Sequence, residues 1–153
     1  LTAPTHAFTI PRGAKMDDVR PDSYPRDRRL LYAYSRPVVV LCNENSFSNA
    51  EIFSHAIQNT DRGTLVGEET FGGVISTGGF TLIDGTRVRQ PFRGWYLPDG
   101  TDMESRGAIP DVRIQRMPGD EAAGVDAQLD AAIRTLLKKL PNEPIAVHPR
   151  PAS

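Results

Sequence analysis

The stretch with the clearest chemical content is Asn45-Ser46-Phe47-Ser48-Asn49-Ala50-Glu51-Ile52. It follows the apolar run Val38-Val39-Val40-Leu41-Cys42 and precedes a segment with helical spacing. A serine at such a junction stands where the first backbone N–H groups of a helix have no intrahelical acceptor. Those amides can stabilise the oxyanion formed when a hydroxyl attacks a carbonyl. Ser48 is therefore a candidate nucleophile, and the amide of Asn49, next in the chain, is the natural oxyanion donor. The arrangement follows the logic of the nucleophile elbow, although no Gly-x-Ser-x-Gly sequence is present.

The same residues have a plainer reading. Ser48-Asn49-Ala50-Glu51 matches the Ser-x-x-Glu capping box, in which serine and glutamate satisfy helix-start amides reciprocally. Such a cap is worth about 1 kcal/mol and implies no reaction. From the pattern alone, both readings stand.

Other chemical groups are sparse. Cys42 is the only cysteine, so no internal disulfide exists, and its place at the end of an apolar run marks it as a small buried residue. The three histidines are His6, His55 and His148. His55 lies seven residues past Ser48 on the expected helix, about 10 Å along the axis. That is too far for the contact of about 3 Å that a general base needs. His6 and His148 fall in irregular terminal stretches. One Cys and three scattered His make no metal site. The glycine-rich run from Gly72 to Gly79 lacks the Gly-Lys-Ser/Thr ending of a P-loop and the dinucleotide spacing, and it reads as a turn.

The elements that must position these groups follow from periodicity. Val38–Leu41 predicts a strand buried on both faces, as in a parallel sheet. Residues 48–59 predict a helix with Ile52, Phe53, Ala56 and Ile57 on its apolar stripe. Thr64–Gly67 predicts the next strand, completing a β-turn-helix-β unit. Twelve of the 13 glycines lie between Gly63 and Gly124, so this half is built of turns and short strands. Asp84-Gly85, between Phe80–Ile83 and Thr86–Arg89, predicts a hairpin in which both turn residues take positive φ. Arg93–Leu97 and Pro110–Ile114 predict two more strands, the latter at an edge. Asp126–Leu140 predicts an amphipathic helix with Leu129, Ile133, Leu136 and Leu140 on its apolar face, stopped by Pro141. Residues 1–35 read as an irregular lead-in, with short strands at Ala7–Ile10 and Leu30–Tyr34. Residues 36–140 form the core, and residues 141–153, with four prolines, form an extended tail.

Taken in order, Asn45–Phe53 and Leu65–Gly73 resemble the peptidase core of the C-terminal processing peptidases and tricorn proteases. The resemblance runs from about Pro37 to Leu140. It implies that Ser48 is the nucleophile. The processing peptidases carry a catalytic lysine directly after the Phe-Gly pair, and this chain has Gly73 there, so a Ser-Lys mechanism is excluded. Gly72–Gly78, Pro91–Tyr96 and Asp102-Met103-Glu104, with Gly107 and Pro110-Asp111, fit the tricorn branch, which uses Ser, His and a carboxylate. In that branch Glu104 organises the histidine through a second serine. The histidine, its serine relay and a second oxyanion amide come from an upstream segment, and the chain begins after it, so the isolated chain is expected to hydrolyse peptides poorly. Gly72, Gly73 and Val74 are expected beside the substrate groove, where an extended peptide pairs with exposed backbone.

The resemblance further implies an α/β fold of the Clp-protease/crotonase type, a spiral of β-β-α units with a mostly parallel sheet and a β-hairpin. It implies no cofactor. It implies a peptide substrate and upstream propeller, PDZ and helical segments as partners, with homo-oligomerisation left open. Two alternatives stand beside it: a non-catalytic peptide-binding or assembly module of the same fold, and acyl-CoA chemistry on the same architecture.

Composition agrees with a globular domain. The 153 residues suit one compact unit with a sizeable core. Hydrophobic content of 39% and charged content of 24% are ordinary. A formal net charge of −1 argues against a nucleic-acid partner. No apolar run approaches the roughly 20 residues of a membrane span, and no signal peptide is visible. The lone cysteine does not choose between cytoplasm and periplasm.

Overall fold

The computed structural model describes residues 5–18, 34 and 36–140. The expected strand at Leu30–Tyr34, apart from Tyr34, and the proline-rich tail with His148 lie outside the described residues.

Among the described residues, six strands form two three-stranded sheets. The parallel sheet has the order β2-β3-β6, from Val39–Cys42 (β2), Thr64–Gly67 (β3) and Val112–Arg113 (β6). Both faces of β3 are covered. Leu65, fully buried, packs with Cys42 and Ala108 on one side. Val66, also fully buried, packs with Ala131 and Ala132 on the other. Successive strand residues point to opposite faces, so β3 serves both layers. The strand expected to be buried on both faces, Val38–Leu41, is less enclosed: Val39 and Val40 are half-buried and Leu41 is 45% exposed, because β2 lies at the sheet edge. Burying one such side chain contributes about 1.5–3 kcal/mol.

The antiparallel sheet has the order β1-β5-β4, from Phe8–Pro11 (β1), Ser76–Thr81 (β4) and Arg87–Tyr96 (β5). The expected sheet is therefore only half right. The parallel strands make one sheet, and the hairpin belongs to another, joined by the lead-in strand. β1 pairs Phe8 with Tyr96, and their rings stack 5.7 Å apart. Arg93–Tyr96 is no separate strand but the second half of β5. The hairpin turn is also longer than expected. It spans Leu82 to Thr86, with the Gly85 amide donating to the Leu82 carbonyl at 2.9 Å. Only Gly85 takes positive φ, at 87°. Asp84 instead accepts from the Thr86 amide at 2.9 Å, a side-chain contact that closes the turn without left-handed backbone.

Among the described residues, two α-helices complete the fold: α1, Asn49–Asn59, and α2, Ala127–Leu137. α1 packs on β3, and α2 on β2 and β3. The inward face of each matches expectation only in part: on α1, Ile57 is buried and Ile52 packs against the core, as expected. α1 buries Glu51, Ser54 and Ile57, while Phe53 stays 54% exposed. α2 buries Ala131 and Ala132, while Leu129, Ile133 and Leu137 are exposed. Small residues let α2 sit close to the sheet, and the larger apolar side chains then face away. Its start is as predicted, with the Asp126 side chain accepting from the Leu129 amide at 2.9 Å.

Candidate functional site

Ser48 is the N-cap of α1, with φ 58° and ψ −121°. Positive φ in a non-glycine residue signals strain held in place by its surroundings. A strained serine between a strand and a helix is the backbone device of a nucleophile elbow. Ser48 and Glu51 have the reciprocal arrangement of a capping box, yet the serine hydroxyl forms no cap hydrogen bond of full geometry. The Glu51 amide donates instead to the Ser48 carbonyl, at 3.0 Å. Ser48 is half-buried and Asn49 exposed. The Asn49 amide, first in the helix, has no acceptor among the described residues.

Glu51 holds this turn. Its side chain is fully buried. One carboxylate oxygen accepts from Thr70 Oγ1 at 2.7 Å and from the Gly72 amide. The other accepts from the Gly73 amide at 2.7 Å and the Ser48 amide at 3.1 Å. Four donors thus fill the lone-pair sites of one carboxylate, which is how a buried carboxylate avoids a large desolvation cost. The Ser48 amide is shared, since it also donates to the Gly73 carbonyl at 3.0 Å. The serine turn and the Gly72-Gly73 turn are therefore tied by both backbone and side chain. Thr70 extends the network by accepting from the Ala108 amide at 2.7 Å. Sequence reasoning credited Glu51 only with a cap. The Ser-x-x-Glu spacing was visible, but the second ring of donors comes from residues about 20 positions away.

Glu104 supports the next step of the same segment. Its Oε2 accepts from the Val74 amide at 2.8 Å and the Ile75 amide at 2.9 Å. Oε1 has no partner among the described residues. The loop around it folds on Gly72, whose carbonyl accepts from the Ser105 amide at 2.8 Å. The four amides from Gly72 to Ile75 are thus all engaged by Glu51 and Glu104. The expected pairing of a peptide with free Gly72–Val74 amides is not available there, and the Val74 side chain is buried in the core with Met103 and Ala7. The free backbone of this segment begins at β4, an edge strand.

The two described histidines stand apart from Ser48. His6 lies by the far end of α1, where its carbonyl accepts from Asn59 Nδ2 at 3.4 Å. His55 is half-buried, and its Nε2, itself buried, has no partner among the described residues. Burial pushes its pKa down, against the opposing effects of a hydrogen bond with the Arg106 backbone and the Glu51 charge. Cys42 is buried, and burial, with a smaller contribution from the Asp111 charge, pushes its thiol up to about 11. Its Sγ donates to the Glu68 carbonyl at 3.1 Å. It is a packed thiol, not a thiolate nucleophile. No group of three or more metal-ligating side chains occurs among the described residues. One pocket opens beside Asn43, Glu68 and Gln128 and another beside His55 and Arg106, and neither is lined by Ser48.

Residues 5–114 match Peptidase family S41. Tricorn protease homolog 1 of Streptomyces coelicolor is 39% identical over 144 residues, 93% of this chain. Tricorn protease of Thermoplasma acidophilum is 38% identical over 107 residues, 69% of this chain. The chain spans 13% and 10% of the lengths of these two relatives. A solved crystal structure of the tricorn protease superposes with a TM-score of 0.64 at 35% identity, over 67% of this chain and 10% of that one. The sequence and the α/β frame are similar to those of tricorn-type peptidase domains, and the chain belongs to peptidase family S41.

Proposed function

We propose that this domain supplies the nucleophile of a serine peptidase. Ser48 attacks the scissile carbonyl, and the acyl-enzyme that forms is then hydrolysed. The observation that carries this reading is the Ser48 backbone at φ 58°, clamped by Glu51 beside an unpaired Asn49 amide. A plain helix cap needs neither strain nor a buried carboxylate behind it. The Asn49 amide serves as one oxyanion donor.

A serine hydroxyl needs a base. Neither His6 nor His55 is placed to serve Ser48, and the tricorn resemblance supplies the base as a histidine from an upstream segment. The free Oε1 of Glu104 acts on that base indirectly, while Oε2 holds the substrate-side segment. The substrate is an extended peptide lying past Gly73 along β4. The whole protein adds propeller, PDZ and helical segments, and its peptidase units follow the β-β-α spiral of the Clp-protease/crotonase type. The isolated chain then turns peptides over poorly or not at all.

Fluorophosphonate labelling of the full-length protein tests this. Modification at Ser48, lost in Ser48→Ala together with peptidase activity by a factor of at least about 10³, is the expected result. Labelling and turnover that survive Ser48→Ala would leave Ser48 as a helix cap and favour a peptide-binding or assembly module.

A further inference from the structure

Two phenylalanines flank the serine turn, and neither is used by the fold. Phe47 immediately precedes Ser48 and is 63% exposed; Phe71 immediately precedes Gly72 and is 71% exposed. Their rings meet edge to face, with centroids 6.5 Å apart at 68°. Both are carried on ordered backbone. The Phe71 amide donates to the Ser46 carbonyl at 3.0 Å, and the Phe47 carbonyl accepts from the Ala50 amide at 3.2 Å. The Phe71 ring also lies against Gly73, where an added Cβ would come within 2.9 Å of it. Gly73 is the residue whose carbonyl holds the Ser48 amide. The ring pair is thus fixed to both turns that form the site.

Single exposed apolar residues are ordinary. Two adjacent aromatic rings left half-open on backbone that is already pinned are a preformed apolar contact surface, and such surfaces mark recognition sites. Phe47 adjoins Ser48 in the chain and Phe71 meets Phe47, so a peptide brought to the Ser48 hydroxyl would pass near the ring pair.

We propose that Phe47 and Phe71 form an apolar subsite for a hydrophobic side chain of the peptide next to the scissile bond. The proposal rests on the reading of Ser48 as the nucleophile. Removing one ring from a hydrophobic contact of this kind changes discrimination by about tenfold.

The test uses binding and labelling together. Fluorescein-tagged decapeptides carrying a single Leu, Phe, Ala or Asp at successive positions are titrated against the chain by anisotropy. Thermal unfolding confirms that each variant is folded. The expected result is a preference of about tenfold for Leu or Phe over Asp at one position. Phe47→Ala and Phe71→Ala should each remove most of that preference, and Phe71→Leu should keep part of it. A preference that survives both alanine variants, or no measurable binding of any peptide, overturns the subsite. Fluorophosphonate labelling of Ser48 in the full-length protein separates the two claims. Loss of preference with no labelling removes the nucleophile and leaves the apolar contact standing, whereas labelling with an unchanged preference removes the subsite alone.

Discussion

The carboxylate of Glu51 accepts a hydrogen bond from the backbone amide of Ser48 at 3.1 Å, one helical turn back along α1. Its other three donors come from Thr70, Gly72 and Gly73. Glu51→Ala leaves several buried donors unpaired, at about 1–3 kcal/mol each. Urea titration should show a loss of about 3 kcal/mol or more. Glu51→Gln keeps one acceptor oxygen but turns an NH₂ toward N–H donors, and it should lose about 1–3 kcal/mol. Glu51→Ala within 1 kcal/mol of the parent would sink the idea that this carboxylate holds the turn.

The strain at Ser48 gives a test independent of activity. Glycine adopts positive φ without the steric cost that a Cβ imposes. Ser48→Gly should therefore be more stable than Ser48→Ala by about 1 kcal/mol, read from denaturant midpoints. Equal midpoints would mean that the backbone relaxes in solution.

His55 makes stability pH-dependent. Its pKa is lowered in the folded state, chiefly by burial, so the folded protein binds fewer protons than the unfolded chain. The contribution is fully present above the unfolded value of about 6.5 and declines as pH falls through that value toward the folded one. Thermal scans from pH 8 to pH 5 should show a falling midpoint, and His55→Gln should flatten that slope. A parallel fall in the variant would assign the effect to other groups.

Gly107 and Gly85 separate two reasons for glycine. A Cβ at Gly107 would lie 2.0 Å from the Thr70 carbonyl oxygen, and Gly107 has no unusual φ. Gly107→Ala should cost about 1–3 kcal/mol and loosen the loop that carries Glu104. Gly85, at φ 87° with open space around it, should cost about 1 kcal/mol on conversion to Ala. Calorimetry on both variants checks the order.

Glu104 distinguishes support from chemistry. Glu104→Gln can keep an oxygen for the Val74 and Ile75 amides, so stability should change by less than about 1 kcal/mol. Peptidase activity of the full-length protein should nevertheless fall at least about tenfold, because the carboxylate charge is lost. Unchanged activity would restrict Glu104 to holding the backbone.

Much of the frame was legible in local patterns. The apolar run at Val39–Cys42, the helix starting after Ser48 and the strand Thr64–Gly67 need only short-range information, and their bounds agree with the structure to within a residue or two. The start of the second helix at Asp126 was legible for the same reason, whereas its side-chain cap is a finding of the structure. The inward faces of the helices were not. Periodicity assigns the apolar stripe to the core, yet α1 turns Glu51 and Ser54 inward and α2 turns Ala131 and Ala132 inward. Close approach of helix to sheet favoured small or hydrogen-bonded residues over large apolar ones.

The sequence by itself determined the family and the serine at a strand-to-helix junction, and it kept His55, two helical turns on, out of reach of Ser48, because residue types at fixed separations encode these. Tertiary structure alone decided that Glu51 and Glu104 consume the amides of Gly72 to Ile75, that Ser48 sits at positive φ, and that Phe47 meets Phe71. Each of these depends on segments about 20 or more residues apart converging on one turn. Hydrogen bonds across such separations leave no periodic mark in the chain.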